Sequence, residues 1–340
     1  MPSDLPPTLG DAASDHSYTP ELHRATGTAP GKLILCGEHA VVYGQPAIAL
    51  PLSGIRASAH ITPMPSGGVR FDAPDLARAW AMDDAPDDPL CQLVGEVLHA
   101  FQIAAPPAIT ITITSDLPIA SGMGSGASVA TAIVRALARY TGRTLAPAQI
   151  SQLVFENERR LHGTPSGVDN TVIAYEQAVW FVRTEDGAQI EPLDIPAPLL
   201  LLVADTGVRS STKLPVGEVR RRWQHDPAPY NALFSQVGDL ALQARAALCA
   251  GDTRTLGPLL DQNHALLQQI GVSSPELDRL VLAAREAGAL GAKLSGAGWG
   301  GVMLALAHPA RAAQISAALR GAGAASVLRT AVGGPPEIRL

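Results

Sequence analysis

Lysine is almost missing from this chain: of 25 basic residues only Lys32, Lys213 and Lys293 are lysines, the rest being arginines. Arginine therefore carries the generic positive charge, and a lysine kept amid it points to a need for a compact ammonium, as at a phosphate or a reacting oxygen. Cysteine is equally sparse. Cys36, Cys91 and Cys249 are odd in number, widely spaced and without a CxxC pair. That set argues against a disulfide framework or a zinc site and suits a reducing cytosol. There is no dense basic tract and the net charge is −6, so nucleic acid and anionic membranes are set aside as main partners, while a local basic pocket for an anionic metabolite is not. No apolar run approaches the roughly 18 residues of a membrane span. The first twenty residues, with Asp4, Asp11, Asp15 and several prolines and serines, lack the basic start and apolar core of a signal peptide and are expected to form a disordered leader.

What is present is apolar and long. With 340 residues, 46% hydrophobic and 16% charged, the chain can bury cores for two domains. Ile109, Ile111 and Ile113 alternate with Thr110, Thr112 and Thr114, the period of a half-buried strand, and Val129, Ala130, Ile133, Val134, Leu137 and Ala138 recur at helical spacing. Between them runs Ser115–Ser128, with Gly122, Gly124 and Gly126 just before the helix. Glycines there admit positive φ, and the helix start offers free N–H groups and the positive end of its dipole, which together make a phosphate cradle. Plain turn chemistry gives the same pattern. Neither a Walker A sequence nor a Rossmann fingerprint fits it.

Taken in order, residues 28–50 read as a strand, a polar turn holding Glu38 and His39, and a second strand; 54–62 read as another strand, and 65–88 as a proline- and aspartate-rich excursion. Lys32, Glu38 and His39 gather at the ends of apolar runs, where a rigid frame aims side chains, although a surface lysine and a Glu-His turn fit equally. Asp88-Pro89 opens a helix, and another opens at Pro147 and ends near Gly163. Glu156 and Glu158 lie on its last turns, where carboxylates oppose the dipole, so a metal, Arg159 or Arg160 is expected beside them unless solvent suffices. The segment from His162 to Thr171 reads as a turn followed by an apolar strand. In it Asp169 suits a general base, or else a helix cap. A domain boundary is expected over 185–198. Beyond it come a strand at 199–204, a hydroxyl- and cation-rich loop to Lys213, helices at 215–225, 230–249, 253–269 and 275–287, a glycine-rich loop over 291–301, a strand at 302–307, a helix at 309–320 and a strand at 325–331.

Pro30-Gly31-Lys32 with Gly37-Glu38-His39, the stretch Pro118–Ala127, and Lys293–Gly298 together resemble the three signature motifs of the GHMP small-molecule kinases, over roughly residues 25 to 330. Gly37–Gly44, Glu158–Asn170 and Asp205-Thr206-Gly207 are similar to the branch that phosphorylates mevalonate. The resemblance implies an α+β, two-domain GHMP kinase fold. Residues 21–190 would form the N-terminal domain, like domain 2 of ribosomal protein S5, and 191–340 a ferredoxin-like C-terminal domain, with the active site between them. It implies a cytoplasmic enzyme that uses ATP and Mg²⁺ to phosphorylate the C5 hydroxyl of mevalonate, with no nucleic-acid or membrane partner and a homodimer left open. By position, Asp169 matches the catalytic base and Lys32 the lysine that activates the hydroxyl and holds Asp169 ionised. Pro118, Gly122, Met123, Gly124, Ser125, Gly126 and Ala127 match the phosphate loop, Glu158 and Ser125 the metal ligands, and Glu38, His39, Thr212 and Gly298 the substrate site.

Two departures accompany the match. Gly126 follows Ser125 where the family carries a second serine, so Ser128 or a water is expected to replace that hydroxyl. Trp299 stands where the third motif carries glycine, and is expected to narrow or reshape the groove above the phosphates. Related reactions stay open: a kinase acting on the 3-hydroxyl or on phosphomevalonate, an ATP-dependent decarboxylase, or a catalytically inactive ligand sensor. An extra substrate phosphate would call for added cations, and Arg209, Arg220, Arg221 and Arg222 are the nearby cluster.

Overall fold

The computed structural model describes residues 24–118, 121–162, 165–185, 187–209 and 212–334. Among these residues seven strands make one sheet: β1 (Ala25–Cys36), β2 (Ala47–Pro63), β3 (Val69–Ala73), β4 (Arg78–Ala81), β5 (Ile109–Ser115), β6 (Val179–Thr184) and β7 (Gly187–Pro192). The order is β4-β3-β5-β2-β6-β7, with β1 on β2, and every pairing is antiparallel except β3 with β5. A second sheet contains β8 (Leu199–Asp205), β9 (Gly291–Ser295), β10 (Val302–Leu306) and β11 (Ser326–Val332), ordered β11-β8-β10-β9 and fully antiparallel. Helices α1 (Pro89–Ala100), α2 (Ser125–Tyr140), α3 (Pro147–His162) and α4 (Val168–Tyr175) fall among the strands of the first sheet, and α5 (Lys213–His225), α6 (Pro227–Cys249), α7 (Thr253–Ile270), α8 (Pro275–Glu286) and α9 (Ala312–Gly321) among those of the second. The fold is α+β. No described helix is long and apolar enough to cross a membrane.

Local chemistry explains several boundaries. Asp88 caps α1 by accepting from Leu90 N–H at 3.0 Å, and Ser274 caps α8 through Leu277 N–H, each with proline in the first turn. Ile109, Ile111 and Ile113 are buried on one face of β5 while the threonines stay half-exposed. Small residues let α2 lie close on β1 and β2: Ala127, Ala130, Ala132, Ala136 and Ala138 are all buried there.

Five expectations are corrected. The two strands read at 47–50 and 54–62 are one long strand, β2, whose pairing with β1 jumps from Pro30↔Arg56 to Gly31↔Leu52, so Ser53–Ile55 bulge out. The excursion at 65–88 contains β3 and β4, too short to stand out from their loops. The strand-like segment after Gly167 is the helix α4, so Asp169 stands in a first helical turn rather than in a loop. Asp169 is also not the cap, since Gly167 occupies that position. The first five residues of the third glycine-rich segment are the wholly buried strand β9.

Candidate active site

The β2 bulge opposite Pro30-Gly31 sets the site. Directly after that pair, Lys32 donates its backbone N–H to Met123 O at 2.9 Å, which fastens the glycine loop to the strand. The Lys32 side chain then crosses Gly124 and ends 3.0 Å from Asp169 Oδ2, with 5% of the lysine and 31% of the aspartate side chain exposed. Asp169 is aimed by both ends of α4. Near its start Asn170 Nδ2 donates to Ser151 O and Oγ at 3.1 and 2.8 Å. At its end Glu176 accepts from Arg56 at 2.9 Å and from Arg135, which also donates to Ala174 O.

Gly122 and Gly124 have φ of 82° and 77°, and α2 begins at Ser125 with no side chain capping its first N–H groups. This is the arrangement in which a helix start accepts an anion. A methyl group on Gly124 would lie 2.8 Å from Lys32 Cγ and 3.0 Å from Ile173 Cδ1 in a backbone conformation that side chains resist. Gly124→Ala is therefore expected to displace the lysine stem and raise the KM for ATP at least ~10-fold, measured by steady-state kinetics. An unchanged KM and kcat would contradict this packing.

Glu158 is buried beside the loop: a side-chain carbon on Gly126 would stand 3.2 Å from its Oε1. Burial, and then the Asp169 charge, push its carboxyl up to about 7, while Lys32 draws it down. Among the described residues no group of three or more His, Cys, Asp or Glu side chains is placed to hold a metal. A carboxylate beside a phosphate cradle is nonetheless the protein share that Mg²⁺ takes, since this ion keeps waters and uses one or two carboxylates with substrate phosphates. The residues fit the ion, and it would relieve the cost of ionising Glu158. Ser128 does not replace the missing serine: its hydroxyl is buried, 2.6 Å from Pro30 O and 2.9 Å from Gly124 O, toward which it donates. Glu156, by contrast, is a surface residue paired with Arg159 at 2.7 Å.

The third glycine segment closes against the β1 side. Ser295 Oγ accepts from Ile34 N–H at 3.0 Å and donates to Ile34 O at 2.9 Å. His39 donates Nε2–H to Ala297 O at 2.9 Å, and burial holds its imidazole down at about 4 despite that bond. Glu38 does not open onto a substrate cleft but is buried against Lys293. Gly298 packs its α-carbon against the Val272 backbone at a φ of 84°. Thr212 is exposed at the start of α5 and joins neither Lys32 nor Asp169 by a hydrogen bond. Trp299 does not lie over the glycine loop by its bonds: its N–H groups donate to Val272 O and, from the indole, to Gly271 O, both beyond the end of α7. Sequence reasoning grouped Lys293 with the other two lysines as a point charge for a phosphate or a reacting oxygen, and passed over Ser295 as a link. The signal lay in the alternation of a lysine and a serine within a buried strand.

His264 is the second buried histidine. Its Nδ1 accepts from Leu294 N–H, its Nε2 faces Asp278, and burial, then Arg285, lower it to about 4. A folded pKa below the unfolded ~6.5 means that the unfolded chain binds more protons between pH 6.5 and 4, so this group removes stability as pH falls through that window. His264→Asn is expected to make the pH dependence of unfolding shallower there by up to ~1.4 kcal/mol per pH unit, read from urea melts. Parallel curves for the two proteins would refute the assignment.

Comparison with known proteins identifies the family. "GHMP kinases N terminal domain" matches residues 92–177 and "GHMP kinases C terminal" matches 244–325. The mevalonate kinase of Thermococcus sibiricus is 33% identical over 319 residues, covering 88% of this chain and 94% of the relative. The chain belongs to the mevalonate kinase family of GHMP kinases. A second member, from Pyrococcus horikoshii, is 34% identical over 315 residues, covering 87% of this chain and 92% of its own. The L. major mevalonate kinase crystallised with R-mevalonate shares the family fold with a TM-score of 0.82 at 30% identity, covering 93% of this chain and 98% of that one.

Proposed function

We propose that this protein transfers the γ-phosphoryl group of ATP to the C5 hydroxyl of (R)-mevalonate, giving 5-phosphomevalonate and ADP, as an enzyme of isoprenoid biosynthesis. The observation that carries the reading is the Lys32–Asp169 pair, 3.0 Å apart, with the lysine stem packed over Gly124 of the anion-binding loop. Asp169 accepts the hydroxyl proton as the oxygen attacks phosphorus and the bond to the ADP oxygen breaks. Lys32, bonded to Asp169, stabilises the developing alkoxide charge. The N–H groups from Gly122 to Ala127 hold the phosphates, so that catalysis comes from alignment and charge placement rather than from covalent chemistry. Glu158 and Ser125 would hold Mg²⁺, which supplies neutralisation of phosphate charge when bound. Residues 21–190 and 191–340 are taken as the two domains of the family, and a cytoplasmic setting belongs to the same proposal.

Three of the four nearby arginines, Arg220 excepted, argue against a substrate that already carries a phosphate. Arg209 is held by both oxygens of Asp205, and Arg221 and Arg222 share Glu218. Such engaged guanidinium groups are poor candidates for a further phosphate. Coupled assay of ADP release with mevalonate, phosphomevalonate and diphosphomevalonate in turn tests the choice. Turnover at least ~100-fold faster with mevalonate is expected; preference for either phosphorylated compound would reject it.

A further inference from the structure

The three lysines stand in three different settings. Lys213 is exposed at the start of α5, Lys32 lies against Asp169, and Lys293 is wholly buried within β9. An ammonium inside an apolar strand is costly unless it is paired and hydrogen-bonded. Lys293 Nζ donates to Glu38 Oε1 and to Leu294 O, and neither member of the Lys293–Glu38 pair exposes any side chain, each being 0% accessible. Phosphoryl transfer as described above has no use for Lys293.

The second oxygen of Glu38 gives the pair a purpose. Glu38 Oε2 is buried and has no hydrogen-bond partner among the described residues. Lys32 is near enough to act on the Glu38 charge while its own bond goes to Asp169. One ammonium therefore has three carboxylates within its field, Asp169, Glu158 and Glu38, and only the 3.0 Å bond to Asp169 serves the reaction. Lys293 cannot drift from its post. β9 pairs with β10 at Lys293↔Leu304, and on its other edge Ala292 N–H donates to Asp261 and Leu294 N–H to His264. Two residues on, Ser295 ties β9 to Ile34 through both backbone groups, four residues before Glu38.

We propose that Lys293 is a positioning residue: by neutralising Glu38 it keeps that carboxylate from competing with Asp169 for the Lys32 ammonium. This rests on the functional reading above, in which Lys32 and Asp169 act as a pair. Removing Lys293 leaves a buried carboxylate with two ways to be neutralised, by taking up a proton or by drawing Lys32 across. Movement of Lys32 separates the pair. Removing Glu38 as well restores balance, so the double variant is expected to outperform the single one.

The scarcity of lysine makes the test direct, since side-chain carbon labelling gives three lysine resonances in the full-length protein, with the exposed Lys213 as internal reference. In Lys293→Met the Lys32 resonance is expected to shift, that of Lys213 to stay, and kcat to fall at least ~10-fold with little change in the KM for ATP. In Lys293→Met with Glu38→Gln the Lys32 resonance is expected to return toward its original position and kcat to rise at least ~5-fold above the single variant. A single variant with Lys32 unmoved, or with kcat within about twofold of the original, overturns the proposal, as does a folded double variant no better than the single. Should the single variant not fold, the double decides alone: Lys32 in its original position with kcat retained supports the proposal, and a folded double with kcat lost overturns it. The resonance is read without turnover. A parent protein inactive on mevalonate would thus remove the functional reading while the position of Lys32 still tested this one.

Discussion

Asp169→Asn is expected to lower kcat for ADP formation by ~10²- to 10⁴-fold, the span typical for loss of a positioned general base. Asparagine keeps the volume and the hydrogen-bonding reach toward Lys32 but cannot take the hydroxyl proton. α4 remains anchored by Asn170 on Ser151 and by Glu176 on Arg56 and Arg135, so the fold should persist and circular dichroism should match the parent. Steady-state kinetics with both substrates saturating isolates the effect. A variant within tenfold of the parent would show that alignment and electrostatics suffice, and that the proton leaves by another route.

Lys32→Met is the second large effect, with an expected loss of about 10²- to 10³-fold in kcat, the scale for deleting one preorganised group that stabilises developing charge. Methionine retains the apolar stem that packs over Gly124 and deletes the ammonium facing Asp169. The KM for mevalonate should change much less than kcat, because the interaction strengthens as the alkoxide forms. Lys32→Arg should not restore activity. Gly124 already lies so close that even a single added carbon would stand 2.8 Å from the stem, and a planar fork has no room to turn there. An arginine variant with near-original kcat would contradict this.

Much of this site was legible because local chemistry wrote it. Isoleucine alternation marked β5 and the Asp88-Pro89 pair marked α1, as the structure bears out, while of the three glycines read before a helical run Gly122 and Gly124 precede α2 and Gly126 lies inside its first turn. Other features depend on partners far along the chain. Val168, Val172 and Ile173 make a short β-branched run that periodicity cannot assign, and what favours a helix there is burial of these residues together with tethers from Ser151, Arg56 and Arg135. β3 joins the rest of the sheet by parallel pairing with β5, some forty residues on, and carries β4 on its other edge. Lys293 looked like a loop residue waiting for a phosphate, since its neutralising carboxylate, Glu38, stands 255 residues away. The motif residues were readable as a set; the ion pair that joins two of those motifs was not.

Phosphorus NMR of a reaction holding the protein, ATP, Mg²⁺ and (R)-mevalonate tests the central claim most directly. The account predicts a new phosphomonoester resonance, that of 5-phosphomevalonate, growing in equal amount with ADP and vanishing from the Asp169→Asn sample. ADP with free phosphate, a 3-phosphate, or no reaction until phosphomevalonate is supplied would contradict it.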